Sequence, residues 1–151
     1  MQFFTATCLN WQNLLAHERH QQIIMDSLKF LVESNRIWLY GFVLMPNHIH
    51  LLWNSQEAWA NKNIQQMFLK YTAQQMKFNL KDSGNNTELE KYRSTQQDRE
   101  YHFWERRPRK IRYTTVKLLN KNWNTCITIL LKPGSVNFPK TIAAHQQNSI
   151  S

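Results

Sequence analysis

Ile37-Trp38-Leu39-Tyr40-Gly41-Phe42-Val43-Leu44-Met45, then Pro46-Asn47, then His48-Ile49-His50-Leu51-Leu52-Trp53 is the stretch on which the fold turns. The first run is continuously apolar, as in a central strand, Pro46-Asn47 is a turn signal, and the second run resumes as a strand, so the whole predicts a β-hairpin. Upstream, Phe3-Phe4-Thr5-Ala6-Thr7-Cys8-Leu9 has the β-branched and aromatic make-up of another strand. Between them, from His17 to Asn35, positions Ile23, Ile24, Ser27, Leu28 and Leu31 recur at three and four, which predicts an amphipathic helix. Downstream, Ile64, Met67, Phe68, Tyr71, Gln75 and Phe78 share one face of a helix over residues 60–82, closed by the polar loop Asp82-Ser83-Gly84-Asn85-Asn86. Residues 88–100 are polar and charged, and Tyr101-His102-Phe103-Trp104 is the expected closing strand. The resulting order is that of an α+β, ferredoxin-like βαββαβ sandwich, an antiparallel sheet with helices on one face.

The 151 residues amount to one domain's worth of chain, and 42% hydrophobic residues supply a core for it. A charged fraction of 19% is too low for a disordered polyelectrolyte. Lys and Arg exceed Asp and Glu by nineteen to ten, leaving +9, a balance that favours phosphate-bearing partners such as nucleic acid or anionic lipid. No apolar run reaches the ~18–20 residues of a membrane span and no signal-peptide layout opens the chain, so a cytoplasmic location is expected. Cys8 and Cys126 stand far apart and outside any Cys-x-x-Cys pattern, which leaves them as ordinary buried or free thiols.

His48 and His50 carry the chemistry. On a strand, side chains alternate with period two, so both imidazoles project from one face and can share one metal, while Ile49, Leu51 and Trp53 point the other way into the core. A His-x-His pair alone does not define a metal centre. On the second helix Tyr71 and Gln75 are four apart and lie one above the other. If that helix packs over the face bearing the histidines, Gln75 can supply a third ligand and the Tyr71 hydroxyl stands beside the metal. Imidazoles with an amide oxygen and no thiolate suit Mg²⁺ or Mn²⁺ acting on a phosphate. Arg106 to Arg112 adds five basic residues, Arg106, Arg107, Arg109, Lys110 and Arg112, beside Phe103 and Trp104, so that charge for a nucleic-acid backbone and a stacking surface lie together.

The run from Tyr40 to Trp53, with Met45-Pro46-Asn47-His48-Ile49-His50 at its centre, resembles the HUH motif of the single-tyrosine transposases, of the insertion sequence 200 type and the REP-associated type. Lys70-Tyr71-Thr72-Ala73-Gln74-Gln75 is similar to their Tyr-x-x-x-Gln helix, and the likeness spans residues 3–112, including Phe103-Trp104-Glu105-Arg106-Arg107-Pro108-Arg109. The resemblance implies a DNA transposase-like enzyme that cleaves and rejoins single-stranded DNA. A cation held by His48, His50 and Gln75 would stabilise charge on the scissile phosphate, and Tyr71 would attack it, giving a 5′-phosphotyrosine link and a free 3′-hydroxyl. A phenol, with pKa ~10, is mostly protonated at neutral pH, so the metal or a nearby base must favour the phenolate. It further implies hairpin ends of single-stranded DNA as partner, no small-molecule cofactor beyond the metal, and a homodimer in which the tyrosine helix of one subunit sometimes serves the other. The alternative is a catalytically inactive remnant that binds DNA hairpins through residues 106–112.

Residues 1–112 thus form the expected transposase-like domain, and residues 113–151 depart from it. This tail holds four lysines and no acid, whereas all ten acids lie at or before Glu105. The family's Leu-Glu-Tyr-x-His-x-Asn-Pro-Val string is missing. Asn122-Trp123-Asn124 must be encoded AAY-TGG-AAY, and reading two nucleotides later forces Leu-Glu, followed by Tyr or His. Continued to Gly134, that frame permits Met-His-Tyr-Asn-Pro-Val-Lys-Ala-Gly. A frameshift near Arg112-Tyr113 is the expectation; stops in the shifted frame of the gene would refute it. Such a change leaves the metal and nucleophile positions in place, removes a packing helix and impairs activity.

Overall fold

The structure is a computed structural model that describes residues 2–95, 100–106 and 108–112, the last four through their backbone. Four strands, β1 (Gln2–Thr7), β2 (Ile37–Met45), β3 (His48–Ser55) and β4 (Arg109–Arg112), form one sheet in the order β2-β3-β1-β4. Every neighbouring pair is antiparallel. Helices α1 (Glu18–Glu33) and α2 (Ile64–Asp82) make the crossovers, and a short α3 (Asn86–Glu90) follows. The arrangement is the expected ferredoxin-like one. Among the described residues no helix is long and apolar enough to cross a membrane. The tail 113–151, with its expected frameshift and Cys126, lies outside the described residues.

Local chemistry sets the ends of the helices. Asn63 caps α2, its side-chain oxygen accepting from the Gln66 N–H at 3.1 Å. Both long helices stop in the same way. Asn35 takes φ 53° after α1, and the N–H groups of Asn35 and Arg36 return to the carbonyls of Val32 and Leu31, each at 3.0 Å. Gly84 does the same after α2 at φ 68°, with Gly84 and Asn85 bonding Lys81 and Leu80, again at 3.0 Å. This closure satisfies carbonyls that would otherwise lack a donor, and it needs a residue that tolerates a left-handed backbone.

One face of the sheet meets the helices. Ile24, Leu28 and Leu31 of α1 and Ile64, Phe68, Met76 and Leu80 of α2 are buried at helical spacing. They pack on Phe4, Ala6, Phe42, Ile49, Leu51 and Trp53 of the sheet. The Trp53 and Phe68 rings meet edge to face at 6.0 Å, and Trp53 also stacks on Phe4 at 5.7 Å.

The segment after α2 departs from the sequence expectation in two ways. Tyr101-His102-Phe103-Trp104 is not the closing strand; it contributes only isolated bridges, Arg93 to Tyr101 and Cys8 to Trp104, and β4 forms further on, at Arg109–Arg112. The reason is burial. Phe103 and Trp104 are 3% and 5% exposed, Phe103 stacks on the fully buried Tyr92 at 4.8 Å, and the Trp104 indole N–H donates to Thr72 Oγ1 of α2 at 3.2 Å. This stretch therefore closes the core beneath α2 and α3 before the chain reaches the sheet edge. Cys8, buried and free as expected, has its thiol pushed up to about 12 by burial.

Candidate nucleic-acid site on the sheet face opposite the helices

Strand register builds the site. Across β3, His48 sits opposite Thr7 and Met45, and His50 sits opposite Thr5 and Val43. Directly paired residues share a face, so these side chains project away from the helices, and Phe3 opposite Leu52 extends the same face. Ile49 and Leu51, fully buried on the other side, confirm the parity that the sequence predicts.

The two imidazoles are held close and oriented. Their ring centroids lie 4.8 Å apart at 75°. His48 Nδ1 donates to Asn47 Oδ1 at 2.7 Å, which leaves Nε2 with its lone pair. His50 Nδ1 lies 2.8 Å from Thr5 Oγ1, an oxygen able to accept from Nδ1–H and so free Nε2 in the same way. The Phe3 ring stacks on His50 at 5.4 Å and 23°. Burial lowers the pKa of His48; burial, with the neighbouring His48 as the smaller cause, lowers that of His50 to about 4. Both rings are accordingly neutral at pH 7, the state that binds metal. A pair of neutral imidazoles fixed through Nδ1 fits a divalent cation as two of its ligands. Among the described residues no three of His, Cys, Asp and Glu gather around a common centre.

Tyr71 and Gln75 do not join this pair within one protomer. The condition set from the sequence, that α2 packs over the histidine face, is not met: α2 covers the opposite face, where its Phe68 touches Trp53 and its Thr72 holds Trp104. The physical reason is the contrast between the faces. Phe4, Ala6, Phe42, Leu44, Ile49, Leu51 and Trp53 make one side continuously apolar, while the other mixes Phe3, Val43, Met45 and Leu52 with Thr5, Thr7, His48, His50 and Asn54, and an amphipathic helix covers the side that gains more from leaving water. Tyr71 is 51% exposed on the outer flank of α2, and Gln75 one turn on is half-buried.

Of the basic segment, Arg106 is exposed. Arg107 lies outside the described residues, as do the side chains of Arg109, Lys110 and Arg112, although the β4 backbone pairs Arg109 to Arg112 with Thr5 to Gln2 beside the histidine strand. Trp104, expected as a DNA-stacking residue, is instead core, for the reason given above.

One residue at the site carries no sequence signal. Trp11 is 63% exposed and its ring meets His48 edge-on at 6.1 Å. It follows Asn10 in a short turn, and both have left-handed backbones, φ 51° and 57°. A bulky side chain rarely adopts that region, at a cost of roughly 1–3 kcal/mol. Only the folded turn reveals the conformation.

No family model matches the chain, and no curated protein is similar to it. Solved structures are. That of a REP-associated tyrosine transposase bound to a REP hairpin superposes with a TM-score of 0.56 at 15% identity, covering 89% of this chain and 68% of that one. A crystal structure of a protein from Deinococcus radiodurans R1 assigned as a transposase gives 0.51 at 10% identity, covering 85% and 90%. At such identities the likeness is one of fold, and it agrees with the strand order, the crossovers and the antiparallel sheet: the chain has the ferredoxin-like fold of the REP-associated tyrosine transposase.

Proposed function

We propose that the chain is a transposase-like enzyme that binds single-stranded DNA on the sheet face opposite the helices and cleaves it in a metal-dependent step at His48 and His50. The observation that carries this reading is the imidazole pair itself, two neutral rings 4.8 Å apart on a sheet face that the helices leave uncovered. The net charge of +9 suits a polyanion, and the transposase of the same fold binds a DNA hairpin. Mg²⁺ or Mn²⁺ held there supplies a Lewis acid for a phosphate oxygen. His48 and His50 orient through Asn47 and Thr5, Phe3 shields His50 from water, and Arg106 draws in the DNA backbone.

Tyr71 acts in this proposal on the histidine pair of a second copy, with Gln75 completing that copy's ligands, because its own pair lies across the sheet. The phenol oxygen, its proton lost to solvent, attacks phosphorus; the P–O3′ bond breaks and the 3′-oxygen, taking up a proton from solvent, leaves as a hydroxyl. One phosphoester replaces another, so rejoining needs no external energy.

The test is covalent adduct formation with a hairpin-ended oligonucleotide on a denaturing gel, with Mg²⁺ or Mn²⁺. Tyr71→Phe and His50→Ala should each abolish the adduct, and mixing the two variants should restore part of it, since one subunit then offers an intact tyrosine to the other's histidines. An undiminished adduct in Tyr71→Phe removes that residue from the mechanism. Cleavage without any adduct points to water as the nucleophile. The separation of Tyr71 from its own histidines favours one further reading, a remnant that holds DNA hairpins and does no cleavage; binding with neither adduct nor cleavage under both metals would establish it.

A further inference from the structure

We propose that Trp11 is a nucleobase platform that stacks a base of the single-stranded DNA next to the phosphate held at His48 and His50. The proposal rests on the reading of the histidine face as a DNA site and names the residue that fixes the strand upon it.

Four observations converge. Trp11 exposes 63% of its surface, the most of any large hydrophobic residue among those described, although indoles usually end up buried. Its ring touches the His48 imidazole, so a base lying on it would be one nucleotide from the histidine pair. Its backbone is held in a conformation that a free chain would leave. The Trp11 N–H donates to the Cys8 carbonyl at 3.0 Å, the Asn10 N–H donates to the Glu105 carboxylate at 2.8 Å, and the Leu9 N–H donates to the Phe103 carbonyl at 2.8 Å. Those anchors sit on a rigid base: Cys8 is fully buried, and the Glu105 N–H donates in turn to the Thr7 carbonyl at 2.8 Å, at the end of β1 opposite His48. A turn clamped from both sides that pushes an indole into solvent has its aromatic face pre-set for a flat partner, which lowers the ordering cost of binding.

The charge selects the partner. A surplus of +9 disfavours a cationic peptide and favours a strand of phosphates, and the nearby Glu105 carboxylate is already engaged by the Asn10 N–H. Every base offers a π-face, so the contact tolerates any sequence and positions the strand without reading it. Phe30 and Phe78 are exposed on helices, and Trp38, exposed on β2, pairs with Asn54, four residues along β3 from His50.

The test uses fluorescence anisotropy of the full chain in EDTA, with a fluorescein-labelled oligothymidylate and an abasic oligonucleotide of equal length and charge. Trp11→Ala should weaken binding of the oligothymidylate about tenfold, Trp11→Phe should restore most of it, and the abasic strand should bind all three proteins alike. An oligonucleotide carrying 5-iodouracil should photo-crosslink to Trp11 in the unmodified protein, a readout that needs no variant. Equal affinity of Trp11→Ala and the parent for oligothymidylate, an equal loss on both strands, or crosslinks that avoid Trp11 would overturn the proposal. Because EDTA removes any cation, a failure of the metal-dependent reading leaves these measurements intact, and the two ideas fall separately.

Discussion

Among single residues, the decisive pair is His48 and His50, and protons test it directly. Folding lowers the pKa of both, His50 to about 4, against an unfolded value of ~6.5. The unfolded chain therefore binds more protons than the folded one as pH falls below ~6.5, so their share of stability is complete above that pH and is lost between ~6.5 and about 4. The buried His20, its pKa also lowered by burial, acts with the same sign. Urea midpoints should accordingly drop on acidification from pH 7 to pH 5, and His50→Gln should flatten that slope; an unchanged slope would mean that His50 is no less basic folded than unfolded. The lowered pKa also keeps protons from competing with metal, so Mn²⁺ affinity should stay nearly level from pH 8 to pH 6.

Elements behave differently in how openly they are written in the chain. Periodicity of two placed Ile49, Leu51 and Trp53 against the histidines, spacings of three and four placed both long helices, and Pro46-Asn47 placed the hairpin, since each of these is a local pattern. Which side of the sheet a helix takes is a competition between two whole faces, and no spacing within Lys70 to Gln75 encodes it; for that reason the condition that would set Tyr71 and Gln75 beside the histidines of the same chain could not be read in advance. Trp104 was misread for another, because an aromatic beside a basic run looks the same in sequence whether it faces water or core. Its indole N–H depends on Thr72 Oγ1, so Thr72→Val, which keeps the shape and removes the acceptor, should cost about 1–3 kcal/mol in chemical denaturation. Affinity of the folded variant for single-stranded DNA should be unaltered; a fall would return Trp104 to the binding surface.

At the level of the whole molecule, charge and layering act together. A surplus of nineteen basic over ten acidic side chains makes binding to DNA depend on counterion release, so the affinity for an oligonucleotide should fall steeply as salt is raised. Arg106→Ala should reduce the slope of log affinity against log salt by about 1 if that residue meets a phosphate, and an unchanged slope would remove it from the interface. The layering has an evolutionary consequence. Helices rest on one side of β3 and the imidazoles stand on the other, so foldability and the proposed chemistry draw on largely separate sets of side chains. Loss of activity would release the second set first and leave a well-folded relic, in which substitutions should be tolerated at alternate positions of one strand and resisted at those between.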